Sequence, residues 1–284
     1  MSERNPANYA DWIGSTEHRE EDITLTPTHA LLATLDDTTT VLANGDKLPP
    51  LWHWLYFLPR APMSQVGSDG HAKRGGFLPP VALPRRMFAG ARMKFPDRLV
   101  IGRPATRDGE VISVSEKKGG TGTLVFVTVR YRIHQDGRLC VEEEQDIVYR
   151  EPGGKVPAPV EVADVPRGAE GAWVKKITPD PVLLFRFSSL TFNSHRIHYD
   201  RPYATGEENY PGLVVHGPLT ALLLMDLVRN NASRPVVGYS FRGRSPLFDL
   251  NAFHLIGKPS GDKVELEAQG PDGTAALTAT AELG

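Results

Sequence analysis

The segment from Gly217 to Asn230 constrains the fold more than any other part of the chain. Pro218 suits the first turn of a helix, and Asn230-Asn231 suits its end. Between them stand Leu219, Ala221, Leu222, Leu223, Leu224, Met225, Leu227 and Val228, spread round nearly every side. A helix without a polar face does not rest on a surface; other elements must enclose it. Strand-like segments follow at 235–242, 247–256, 263–269 and 274–283, the last pair joined through Pro271-Asp272-Gly273. The expectation is an α+β arrangement in which a curved antiparallel sheet wraps one buried helix.

The first half shows a related pattern. Thr123–Ile133 is dense in β-branched and aromatic residues, and Asp136-Gly137 turns it into a second strand-like run to Tyr149. Asp108-Gly109 leads into an alternating stretch over 110–116, so three or four antiparallel strands are expected within 93–149. A short helix is expected over 29–35, after Thr26-Pro27. Leu51–Leu58 is apolar on nearly every side, and its length does not decide between buried helix and strand. Trp52, Trp54 and Tyr56 within it read as core. Residues 60–84 form a Pro/Gly-rich loop of a length that is seldom idle. Leu183–Leu190 reads as a strand. The segment 151–171 holds four Pro and four Gly without periodicity and reads as a linker. At roughly 150 residues per domain, the 284 residues then divide into 1–150 and 172–284.

Charge and cysteine content narrow the function. The net charge is −2, with 32 basic and 34 acidic residues, which gives no general electrostatic reason to bind nucleic acid. The single Cys140 has no internal disulfide partner and favours a reducing compartment. The N-terminal residues lack the apolar run of a signal peptide. No apolar stretch approaches the roughly 20 residues of a membrane span. A soluble, cytoplasmic protein that works away from membranes is expected.

Three of the nine histidines, His195, His198 and His216, fall within 22 residues. The segment runs Ser188-Ser189-Leu190-Thr191-Phe192-Asn193-Ser194-His195-Arg196-Ile197-His198-Tyr199-Asp200 and ends at His216-Gly217, which opens the apolar helix. A carboxamide five residues before a His, an Asp two residues after it and a His-Gly pair at the helix start together resemble the motif of the MaoC-like, (R)-specific enoyl-thioester hydratases. The common form of that motif has Asp where this chain has Asn193, and Asn is not a general base. The variant here is similar to the hydroxyacyl-thioester dehydratase type 2 branch, which includes bacterial hydratases of branched dicarboxylic acyl-CoA esters. Three stretches of the first half strengthen the likeness: 48–59 (LPPLWHWLYFLP), 83–90 (LPRRMFAG) and 143–150 (EEQDIVYR).

The resemblance implies a double hot-dog fold, with the catalytic loop in the second unit and none in the first. It implies hydration or dehydration at the α,β position of a CoA thioester by a homodimer, without metal or redox cofactor. The substrate class it points to is a short branched dicarboxylic enoyl-CoA, such as mesaconyl-C4-CoA or itaconyl-CoA, giving citramalyl-CoA in a step of itaconate degradation. Longer 3-hydroxyacyl thioesters, thioester hydrolysis and acyl-CoA binding without catalysis are the rival readings.

Residue chemistry supports the same assignment. A neutral His198 can take a proton from water. Asn193 can hold that water, although Asn also favours plain turns. The N–H of Gly217 opens a helix, where unpaired donors and partial positive charge suit a developing enolate oxygen. His195 and His198 form His-x-x-His, a weak metal signal without further ligands at matching spacing. His216 reads as a packing residue near the helix start, and Asp200 as the acceptor that fixes the loop. Arg86, Arg92, Arg196 and Arg242 are candidates to pair with a substrate carboxylate or the CoA phosphates, because a guanidinium fork suits both.

Overall fold

A computed structural model describes residues 5, 6, 8–119, 122–160 and 166–284. The chain runs through β1 (Thr16–Asp22), α1 (Leu25–Leu35), β2 (Arg85–Lys94), β3 (Pro104–Gly119), β4 (Gly122–Gln135), β5 (Arg138–Arg150) and β6 (Trp173–Ile177). It continues through α2 (Pro181–Leu190), α3 (Arg201–Gly206), α4 (Gly217–Asn231), β7 (Val236–Gly243), β8 (Phe253–Ser260), β9 (Lys263–Gln269) and β10 (Ala275–Leu283). The ten strands form one sheet in the order β1-β3-β4-β5-β2-β7-β10-β9-β8-β6, with every neighbour antiparallel. The first five in that order come from the first half of the chain and the last five from the second.

Helix α4 behaves as its composition demands. Every residue from Leu219 to Val228 is buried. Strands β2, β6, β7, β8, β9 and β10 all pack against it. Its one buried charge, Asp226, pairs with Arg229 at 2.7 Å. Arg229 reaches on to Asp37 at 2.7 Å and to Thr40 Oγ1 at 2.9 Å, just beyond the end of α1. A charge buried this way is satisfied by several partners at once, and the same guanidinium ties the two halves together.

The inner face of the first half is covered differently. Val125, Val127 and Val129 of β4 and Ile147 and Tyr149 of β5 alternate onto one face and pack against Phe77, Leu78, Val81 and Leu83 of the long loop. At the other end of the same strands, Ile133 and Val141 join the main core with α1 and the apolar segment 51–57. The loop thus takes part of the place that the long helix takes in the second half.

Four elements differ from the sequence reading. Residues 181–190 are helix α2, not a strand. Asp180 caps it by accepting from the Leu183 N–H at 2.7 Å, Pro181 starts it, and the buried Leu184, Phe187 and Ser188 repeat at helical spacing. The apolar aromatic run hid a capping signal that local chemistry obeyed. Segment 51–58 is a 3-10 turn, Trp52–Leu55, ended by an extended Tyr56. Strand β8 begins at Phe253, because 247–252 makes loop contacts with the Leu213–Val215 segment. Strand β1 was not foreseen; its alternation is of charged residues, which carry no hydrophobic signal. Part of the proposed linker, 161–165, lies outside the described residues.

The halves meet at the β2–β7 pairing, Gly90 to Arg242 through Lys94 to Gly238. A Cβ at Gly90 would stand 2.4 Å from the Phe241 carbonyl oxygen. Gly90→Ala is therefore expected to strain the seam and cost about 1–3 kcal/mol, the usual range for overpacking. Urea unfolding with activity as a second probe checks this; an unchanged midpoint contradicts it.

Candidate active site

The site is built on the turn that follows α2. The Asn193 N–H donates to the Ser188 carbonyl at 2.8 Å, and Phe192 just before it takes a left-handed backbone at φ 48°. Asn193 Oδ1 then accepts from the His195 N–H at 3.0 Å, closing a tight turn. A 3-10 turn, Arg196–His198, comes next. Asp200 ends it by capping α3, accepting from the Tyr203 N–H at 3.2 Å and pairing with Arg196 at 2.8 Å. These local bonds fix His195 and His198 on one short loop.

The hydrogen bonds define the state of His198. Its Nδ1 lies 2.7 Å from the Val214 carbonyl oxygen. A carbonyl only accepts, so Nδ1 carries the proton and Nε2 keeps its lone pair. The imidazole of His216, the cap residue of α4, stacks on His198 with centroids 3.6 Å apart. His216 Nε2 lies 2.8 Å from Ser188 Oγ, and its Nδ1 is buried without a partner among the described residues. Next to it, the Gly217 N–H makes no hydrogen bond among the described residues, because the first intrahelical bond runs from the Thr220 N–H to the His216 carbonyl. The Cβ position of Gly217 is 3.8 Å from the Phe88 carbonyl of β2, which brings the helix start to the seam.

The first half contributes two groups that the sequence reading missed. Residues 66–72 of the long loop double back through a bridge between Val66 and Ala72. They carry Asp69 and His71, whose carboxylate and Nδ1 are 3.0 Å apart. The His71 ring lies 4.1 Å from His195, and His195 lies edge-on to His198 at 5.4 Å. The Arg196 N–H donates to the Asp69 carbonyl at 2.9 Å, and the Ser194 hydroxyl donates to the Gly70 carbonyl. Gly70 has φ +92°, and a Cβ there would fall 1.8 Å from the Ser194 carbonyl oxygen. The loop's unusual length was the signal, but an Asp-Gly-His triplet by itself is too common to single out.

Burial sets the electrostatics. Desolvation, with the charge of His71 added, lowers His198 to about 4 against the opposing bond from Val214. Burial and the neighbouring His71 and His198 take His195 to about 2. Burial holds His216 well below its ordinary value, with His198 and His195 adding to it. His71 is lowered by burial despite its bond to Asp69. Asp69 is itself pushed up by burial but held well below the usual carboxylate range by His71. The cluster is a set of neutral imidazoles around one carboxylate.

The predicted arginines separate. Arg196 is bound to Asp200 and the Ser68 carbonyl and lies 4.2 Å over Tyr203. Arg92 pairs with Glu144 and Asp146. Arg92 and Arg242 line a cavity of about 510 Å³ with Arg167, Ser240 and Lys258, and no histidine borders it. Both alternate with core residues, Ala91 and Met93 or Phe241, so they face away from α4. Arg86 stands opposite Tyr149 in the β2–β5 register, and its charge acts on His71 and His195. A second cavity, of about 100 Å³, is lined by His53, Arg107, Glu143 and Gln145 of the first half and by Thr191 at the end of α2. Asp69, His71 and His195 are the group whose side chains come within 4.8 Å of one another, close enough to gather round a cation. The carboxylate and His71 Nδ1 are already spent on each other.

Fold and site define a class: a hot-dog enzyme of the hydratase and dehydratase type. The chain belongs to the hydroxyacyl-thioester dehydratase type 2 family, whose model matches residues 51–249. It is 59% identical over 278 residues to the mesaconyl-C(4)-CoA hydratase of Chloroflexus aurantiacus, covering 98% of this chain and 99% of that protein. HtdX of Mycobacterium tuberculosis matches 95% of this chain and 100% of its own, with TM-score 0.66 at 18% identity. A further M. tuberculosis protein, described as having a double hot-dog fold, matches at TM-score 0.57 and 14% identity over 96% of each chain. Among the described residues no helix is long and apolar enough to cross a membrane.

Two outcomes follow from this geometry. Since His198 is neutral well below its ordinary value, the acid limb of kcat/KM is expected below pH 6, descending toward about 4. The lowered histidines also mean that the unfolded chain binds more protons than the folded one below about pH 6.5. Stability is therefore expected to fall as pH drops from there toward the folded values. A pH–rate profile with parallel unfolding curves checks both. Separately, Gly70→Ala is expected to push the 66–72 loop off Ser194 and cut kcat by at least about tenfold, since small displacements of positioned groups are costly. A steady-state assay with a circular dichroism control reads this.

Proposed function

We propose that the chain is a hydratase that adds water across the α,β double bond of mesaconyl-C4-CoA, giving citramalyl-CoA. The observation that carries this reading is the 59% identity, over nearly the full length of both chains, with a mesaconyl-C(4)-CoA hydratase. The geometry offers a way to perform the reaction. Nε2 of His198 takes a proton from water while the water oxygen bonds to the β-carbon. The carbon–carbon π pair moves toward the thioester, and negative charge gathers on its carbonyl oxygen. The free N–H of Gly217 and the positive end of α4 are placed to steady that oxygen, a contribution often worth ~3 kcal/mol per donor. The proton on His198 then goes to the α-carbon. Atoms and charge balance without metal or redox cofactor.

Asn193 serves this scheme as a holder of water. Its Oδ1 is shared with the His195 N–H, which leaves its amide N–H group for the incoming oxygen. His216 supports His198 by stacking on its face, and His195 links it to the Asp69–His71 pair. A cytoplasmic homodimer with the CoA thioester as its ligand completes the reading. Exposed apolar side chains at Val182, Phe185 and Phe192, along α2 and the turn after it, support an assembled form.

The test is a panel of mesaconyl-C4-CoA, itaconyl-CoA, crotonyl-CoA and octenoyl-CoA, followed by loss of enoyl absorbance and by mass spectrometry. Hydration of mesaconyl-C4-CoA in preference to the others is expected, and His198→Ala should reduce it by about 100-fold or more. Release of free CoA without a hydrated product, or preference for octenoyl-CoA, overturns the reading.

A further inference from the structure

The arginines around the histidine cluster are almost all committed. Arg196 holds Asp200, and Arg85 holds Glu208 at 2.9 Å. Arg107 holds Glu17 at 2.9 Å, and Arg74 donates to the Val81, Leu83 and Pro84 carbonyls. Arg86 is the exception: among the described residues it has no carboxylate within ion-pair distance and no hydrogen bond. It is nevertheless partly buried. A half-buried guanidinium that no protein carboxylate engages is free to take a bound anion, and partial shielding from water strengthens such a charge-assisted pair.

Its placement is fixed by register. Arg86 stands opposite Tyr149, and Phe88 opposite Ile147. Cross-strand partners project to one face, and Tyr149 and Ile147 belong to the inner core. Arg86 therefore points inward. Tyr149 lies beneath Arg74, which is three residues beyond His71 in the loop that meets the catalytic turn. Two residues further along β2, the Phe88 carbonyl adjoins Gly217 at the start of α4. The wholly buried Tyr149 hydroxyl also lacks a hydrogen-bond partner among the described residues. Two adjoining side chains, one a pure donor, thus lack an acceptor beside the reacting residues.

We infer that Arg86 is the specificity residue that receives the free carboxylate of a β-carboxylated enoyl thioester. This rests on the function proposed above. In such a substrate the carboxylate is bonded to the same β-carbon that accepts the hydroxyl, so its receptor must stand close to the catalytic turn, as Arg86 does. The CoA phosphates lie at the far end of the pantetheine arm and cannot reach the same point as the reacting carbon. The positive field of Arg86, which helps to hold His71 and His195 neutral, also favours an anion over a cation there.

The experiment compares two unreactive saturated thioesters by calorimetry: methylsuccinyl-CoA with its thioester at C4, and isovaleryl-CoA, where a methyl replaces the carboxylate. The wild-type protein should bind the first more tightly, by about tenfold or more, as a charge-assisted pair requires. Arg86→Gln should weaken the first by about 10- to 100-fold and the second by several-fold less. Arg86→Lys should recover part of the loss, since it keeps the charge but not the fork. Equal weakening of both thioesters, or a carboxylate preference that survives Arg86→Gln, overturns the inference. Turnover of mesaconyl-C4-CoA by the wild-type protein is measured in parallel. Active enzyme with no effect of Arg86 on selectivity removes this assignment alone, whereas inactive enzyme removes the function on which it rests.

Discussion

The burial of α4 on every side holds the site together. Because no face of the helix is polar, it has one resting place, inside the sheet, and its start is fixed with it. That start carries His216, whose ring stacks on His198, and Gly217, whose Cβ position adjoins the Phe88 carbonyl of β2. A surface helix could slide or roll by a fraction of a turn at small cost. An enclosed one would have to break well-packed contacts along its length. The histidine turn is then anchored twice more, by Val214 holding His198 and by the 66–72 loop holding Ser194 and Arg196.

The electrostatic character of the site follows from that enclosure. Four imidazoles close together and largely shielded from water cannot all carry charge, and each suppresses protonation of the next. The result is a group of neutral rings, among which His198 has a defined tautomer. Among the described residues Asp69 is the carboxylate in contact with the cluster, and His71 occupies it. The replacement of a family Asp by Asn193 fits this arrangement. A carboxamide accepts the His195 N–H without adding a further negative charge to the turn.

Much of this was legible in the residues. The all-apolar body of α4, the Asp136-Gly137 hairpin and the His198 to Gly217 motif each name their structure directly, because local chemistry and tertiary role agree. Other parts were not. In α2, Val182 and Phe185 remain exposed, and Leu183–Leu190 read as a strand while the Asp180 cap and Pro181 were dictating a helix. The pairing of Asp69 and His71 with the catalytic turn depends on contacts more than 120 residues apart in sequence, such as Ser194 with Gly70. No spacing rule reaches that far. The four candidate arginines were indistinguishable by type, and only register and partner count separate Arg86 from Arg92, Arg196 and Arg242.

The continuous ten-stranded sheet has a consequence for how such an enzyme can change. One polypeptide supplies two layers of strands, and among the described residues the His195, His198 and His216 cluster stands on the second. The first layer is released from any duty to keep a second copy of that cluster. It is free to fill its hollow with an irregular segment and to vary the side chains lining it. Residues before 150 can then change while the histidine turn after 190 stays as it is. In a symmetric pair of identical subunits, each such change would be imposed on both sides of the cleft at once.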